Sequence, residues 1–133
     1  MNEIKESEKI SSYFREFSNQ LVYLELKKNF ESIQSVDLTE IPLPICMFDF
    51  SDNILENKFN EEIEWKYFLR GMIWNIAIDR EFIYQEKYNK ILNESLRKPC
   101  DFAIQMGQDF LMNKLFDKAL IAFRAAYLLD SKN

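Results

Sequence analysis

Apolar residues recur along most of this chain at steps of three and four, the period of a helix with one buried face. Ile10, Phe14, Phe17, Leu21 and Leu24 form one row, and Val22, Leu26, Phe30 and Ile33 form a second beside it. No Gly or Pro interrupts this stretch. The pattern therefore predicts one long helix over residues 1–33, better buried toward its C-terminal half. Periodicity fails next. Asp37-Leu38-Thr39-Glu40 suits a single turn, with Asp37 as cap and Glu40 reaching back. Pro42 and Pro44 then forbid a regular helix, because proline lacks the N–H donor and restricts the residue before it. Residues 41–50 read as an extended, strongly apolar arm within a 34–59 loop. Such a segment cannot lie bare in water. It packs across the helices as a core-covering loop, or it fills a groove meant for a partner or makes an edge contact in a dimer.

Helical period resumes at Asn60-Glu61-Glu62, where a capping amide precedes acids favoured by the helix dipole. Trp65, Phe68, Leu69, Met72, Ile73 and Ile76 follow, Asp79-Arg80 marks a bend, and Phe82, Ile83, Tyr84, Tyr88, Ile91 and Leu92 continue the pattern. Residues 60–97 thus read as a helical pair. Pro99 suits the first turn of another helix, and Asn113-Lys114 divides 99–132 into two. The expectation is a single all-α domain over 1–133, made of antiparallel helical hairpins behind a long N-terminal helix and an apolar arm, without a strand. A hydrophobic share of 47% excludes a disordered tail, and only 2 Gly and 3 Pro argue against a many-turned β fold.

The glycines, Gly71 and Gly107, stand 36 residues apart, within the period range of helical repeats. Ala103, Met106, Gly107 and Phe110 match the pattern W-x2-L-G-x2-Y, Ala119 and Phe123 match A-x3-F, and Ala126 follows. Residues 99–132 thereby resemble a tetratricopeptide repeat. The packing logic stands without the name: Gly107, Ala119 and Ala126 let two helices approach, and Phe110 and Phe123 fill the space between. Ala103 replaces the family's first aromatic, and Ser131 stands near its terminal Pro. An ordinary helical hairpin is the alternative. A degenerate second copy would lie at 64–97, where Tyr67, Gly71 and Trp74 fit and Arg70 does not. Because a single repeat cannot cover its own apolar face, either further repeats follow in a longer protein or the last helix packs elsewhere, with a twofold dimer as the obvious candidate.

Charge narrows the function classes. The net charge is −5, and no dense Lys/Arg cluster offers phosphate a surface, so nucleic-acid binding is not expected. Residues 34–66 hold Asp37, Glu40, Asp49, Asp52, Glu56, Glu61, Glu62 and Glu64 against Lys58 and Lys66. This is a solvated face or a steering patch for a basic partner. With no histidine, the commonest general base and metal ligand is missing. Cys46 and Cys100, 54 residues apart, read as buried thiols rather than metal ligands. Residues 49–53 begin like a calcium loop, but Ile54 stands where Gly is required and Asn60 where a bidentate Glu is. Glu61, Glu62 and Glu64 are the densest carboxylates, at a helix start that favours acids anyway. No Gly-rich phosphate loop is present, so neither cofactor nor metal is expected. The N-terminus lacks the apolar stretch of a signal peptide and no run could span a membrane, which makes the cytoplasm the default location.

The leading expectation is a non-catalytic scaffold for protein–protein interaction. The repeat resemblance implies a groove lined by the first helix of the pair, at Asp101, Ile104, Gln108 and Leu111, that holds a peptide or helix. These residues lack the Lys, Asn and Arg that grip a C-terminal carboxylate in part of that family, so a mixed or apolar ligand fits better. The alternative is an N-terminal dimerisation or assembly domain of a longer protein, buried against a second copy through the long helix and the arm. An enzyme whose site follows no familiar pattern is a third.

Overall fold

Residues 42–46 form a strand with almost no contact with solvent: Leu43, Ile45 and Cys46 are all fully buried. The computed structural model describes residues 17, 20–29, 33–49 and 65–130. Their elements run β1 (Leu21–Glu25), a 3-10 turn (Leu38–Glu40), β2 (Pro42–Cys46), α1 (Trp65–Ile78), α2 (Gln85–Ser95), α3 (Pro99–Met112) and α4 (Phe116–Asp130). The strands pair antiparallel, with Val22 opposite Ile45, Tyr23 opposite Pro44 and Leu24 opposite Leu43. The all-α expectation is therefore corrected: the protein is mainly helical with a two-stranded antiparallel sheet. The single helix over 1–33 is overturned at Leu21–Glu25, which is a strand. Residues 1–16 of that expected helix, the Asn60 helix start with Glu61, Glu62 and Glu64, and the 50–53 part of the calcium-loop pattern lie outside the described residues.

The physical reason is a backbone requirement. An extended segment buried in the core must still satisfy its N–H and C=O groups. Two prolines deny the arm a helix, so a second strand has to supply partners. Leu-Val-Tyr-Leu-Glu meets that need, because a short apolar run fits helix or strand equally well and Val22 and Tyr23 favour the pleat. Burial of β2 on both faces also explains its unbroken apolar sequence.

Helix α1 lies directly on β2. A Cβ on Gly71 would fall 2.5 Å from the Pro44 carbonyl carbon and 3.0 Å from the Ile45 nitrogen. No side chain fits there. The Tyr88 hydroxyl of α2 donates to the Pro42 carbonyl at 2.5 Å. Pro42 and Pro44 therefore turn their carbonyls away from β1, and alternation turns Leu43 and Ile45 toward it. Trp74, Phe68, Met72, Ile73 and Ile76 of α1 and Ile91 and Leu92 of α2 complete the core around the strand. The Glu94 carboxylate of α2 accepts the backbone N–H groups of Gln34 (2.8 Å) and Ser35 (3.0 Å), which pins the loop between the strands. Those bonds, with the Ser35 side chain contributing most, hold the Glu94 carboxyl below its ordinary value.

Helices α3 and α4 form a tight antiparallel hairpin. A Cβ on Gly107 would lie 2.7 Å from Phe123 Cδ1. Ala119, Ala122, Ala125 and Ala126 are buried along α4. Pro99 starts α3, and the break at Asn113-Lys114 ends it. There Lys114 N–H donates to Leu111 O and Leu115 N–H to Phe110 O, with Lys114 in the left-handed region at φ 59°. This is a Schellman stop, built on lysine instead of the usual glycine. α4 also packs on α1, where Arg124 Nε donates to the Ala77 carbonyl at 3.0 Å, a cation at a helix C-terminus.

The 36-residue glycine spacing thus joins two unlike contacts, helix on strand at Gly71 and helix on helix at Gly107. They differ in what could give way. Gly71→Ala meets main chain and should destabilise the protein by about 2–3 kcal/mol. Gly107→Ala meets a ring that can rotate, and the better helix propensity of alanine offsets part of the crowding, so its effect should stay within about 1 kcal/mol. Urea unfolding of both variants measures the difference.

Candidate functional site

The packing residues Ala103, Met106, Gly107 and Phe110 occupy the buried face of α3. The four positions expected to line a groove fall on other sides of the same helix, at steps of three, four and three. Asp101 and Gln108 are exposed, Leu111 is 44% exposed, and Ile104 is half-buried with its side chain against the core. Asp101 stands in the first turn of α3, where a carboxylate suits the helix dipole. The hairpin tip adds apolar surface that spacing alone does not single out. Met112 is 82% exposed and Phe116 64%, and Leu115 and Leu120 are also open. On α4, Tyr127 is exposed whereas Ile121 and Leu128 are buried.

A cleft of about 340 Å³ opens between α1 and α3, lined by Tyr67, Arg70, Phe102, Gln105 and Met106 among others. An ion pair stands at its side. Arg70 Nε donates to Asp49 Oδ2 at 2.8 Å, and Nη2 donates to Oδ1 at 3.3 Å. The guanidinium also lies 5.5 Å from the centre of the Phe110 ring. Arg70, the misfit in the upstream repeat pattern, therefore ties α1 to the segment after β2 and to α3. A charge set among Phe68, Leu69, Met72 and Ile73 is itself the signal that a partner exists, because arginine is rarely buried unpaired. Nothing in the sequence names Asp49 as that partner.

A second cleft, of about 460 Å³, lies where α2 gives way to α3, with Asn89, Asn93, Arg97, Cys100 and Asp130 in its wall. The Cys100 thiol donates to the Ala126 carbonyl at 3.4 Å, and burial, then Asp130 and Asp101, push its pKa up. Cys46 is fully enclosed, and burial, then Asp49, raise it well above the ordinary thiol value. Neither is a poised thiolate. Among the described residues, no three His, Cys, Asp or Glu side chains gather to hold a metal ion. Among the same residues, no helix is long and apolar enough to cross a membrane.

A polar seam joins the sheet to the helices. The Tyr23 hydroxyl donates to Asn75 Oδ1 at 2.7 Å, and its ring stacks on Phe82, which in turn stacks on Tyr88. Burial, then the Asp79 charge, push Tyr23 up to about 12. Burial, then Tyr23 and Tyr84, push Tyr88 higher still. No protein-family model, curated protein or solved structure matches this chain.

Two outcomes follow from this geometry. Arg70→Met should destabilise the protein by about 2 kcal/mol, since it removes both guanidinium bonds to the nearly buried Asp49 carboxylate; the guanidinium is partly exposed, which keeps the loss below that of a fully buried pair. Thermal or urea unfolding at neutral pH measures it. The two tyrosines are held protonated in the folded state, so their contribution is complete below pH 10.0, the ordinary tyrosine value; that of Tyr23 is lost as pH rises through about 12, and that of Tyr88 only at higher pH. Stability measured across that window should fall, with a shallower slope in Tyr23→Phe.

Proposed function

We propose that this protein is a non-catalytic scaffold that holds a peptide or helix against the outer side of α3, through Asp101, Ile104, Gln108 and Leu111. The observation that carries it is the division of α3 between two environments. Its packing side is locked to α4 by Gly107 and Phe123, and its other side leaves Asp101, Gln108 and Leu111 open. That side runs into the bare apolar tip at Met112, Leu115 and Phe116. An apolar surface edged by polar residues on a rigid hairpin suits an amphipathic ligand that lays one face down. The resemblance of 99–132 to a tetratricopeptide repeat supports the same side of the same helix. The lack of histidine and the raised pKa of both thiols weigh against catalysis.

Of the segments that the assembly-domain alternative draws on, the arm is spent inside the core as β2, and Leu21–Glu25 is a strand and not a helix.

Peptides selected from a displayed random library on the folded protein should bind about tenfold more weakly to Gln108→Lys and to Leu111→Ala, a difference of about 1.4 kcal/mol. Both variants should keep the wild-type thermal midpoint, since both side chains are exposed. Selected peptides that bind both variants as well as they bind wild type would refute this assignment.

A further inference from the structure

The two edges of the sheet are not alike. On β2 the outward positions include Pro42 and Pro44, which have no N–H to offer, and their carbonyls meet Tyr88 and Gly71. That edge is closed. On β1 the same alternation turns Val22 and Leu24 toward β2, because they stand opposite Ile45 and Leu43. The N–H and C=O groups of Leu21, Tyr23 and Glu25 therefore point away from the sheet. Among the described residues, no hydrogen bond reaches these outward groups, and β1 is one of only two strands in its sheet.

Within its own sequence, β1 also lacks the residues that usually protect an edge. β1 contains neither Pro nor Lys, and its one charge, Glu25, is its last residue. Val22 and Leu24 are half-buried and Tyr23 is 39% exposed, so apolar surface flanks the open groups.

We infer that β1 is a self-association edge that pairs antiparallel with β1 of a second copy about a twofold axis at Tyr23. The outward residues are symmetric about that centre. Leu21 would face Glu25 of the second copy, Tyr23 would face Tyr23, and Glu25 would face Leu21. The partial charges complement one another. Every outward N–H meets an outward C=O, giving about six inter-chain bonds in a continuous four-stranded sheet. On the other face Val22 would lie against Leu24 of the second copy, an apolar cross-strand pair. The two Glu25 carboxylates would stand four residues apart along the strands, about 13 Å, where their repulsion is screened. This surface is separate from the α3 side, so either can fail without the other.

Sedimentation of the full chain from micromolar to several hundred micromolar should show a monomer–dimer equilibrium. Glu25→Pro removes one outward N–H and leaves the β1–β2 bonds in place; it should raise the dimer dissociation constant at least about tenfold, whereas Glu25→Ala should not. Amide hydrogen exchange on the wild-type protein provides a readout that does not require the variant to fold. Exchange at Tyr23 and Glu25 should slow as concentration rises, while Val22 and Leu24 stay protected throughout by β2. A protein that remains monomeric, or a dimer whose Tyr23 and Glu25 amides exchange at the same rate at all concentrations, overturns the inference.

Discussion

The burial of β2 is the constraint from which the rest of the structure follows. Its side chains are apolar on both faces, which drives it inside, but its backbone is as polar as any other. Each of its polar groups must be met or covered, and three different elements do so. β1 takes the inward groups of Leu43 and Ile45. The Tyr88 hydroxyl takes the Pro42 carbonyl. α1 comes close enough to cover Pro44 only because residue 71 has no side chain. The prolines remove two donors that would otherwise need partners on the covered edge. A segment that looks like a liability in isolation is thus the centre about which helices and strand are arranged.

α1 carries this arrangement to the C-terminal hairpin. One side of it rests on the strand, and its C-terminal carbonyl at Ala77 receives Arg124 from α4. Arg70 reaches Asp49 and the Phe110 ring, and Phe48 packs edge-on to both Trp74 and Phe110. The hairpin is therefore anchored at both its helices. That anchoring is what makes the outer side of α3 a fixed surface: with Gly107 pressed on Phe123, the residues on the far side have no freedom to turn inward.

The open surfaces of the molecule follow from the same economy of partners. Among the described residues, backbone groups between the strands are paired and those on the outer edge of β1 meet no hydrogen-bond partner. Side chains on the packing side of α3 are enclosed and those about the hairpin tip are not. Both surfaces are formed of groups whose physical chemistry names a complement, an extended backbone in one case and an apolar face in the other.

The C-terminal half is legible in the sequence. Period, Pro99 and the Asn113-Lys114 break placed α3 and α4, and small residues opposite rings indicated how closely they meet, because helix geometry and helix packing depend on residues near in sequence. The bend at Asp79-Arg80 was legible for the same reason. The N-terminal half was not. Leu21–Glu25 carries a spacing that suits a helix, and only the proximity of a buried, donor-poor arm 21 residues further on makes it a strand. The partner of Arg70 and the role of Gly71 were hidden likewise, since each is defined by a contact with a segment distant along the chain. Local pattern by itself determined which stretches are apolar and where helices can start and stop. Tertiary structure alone decided which backbone groups would be buried, and hence which segment had to become a strand to satisfy them.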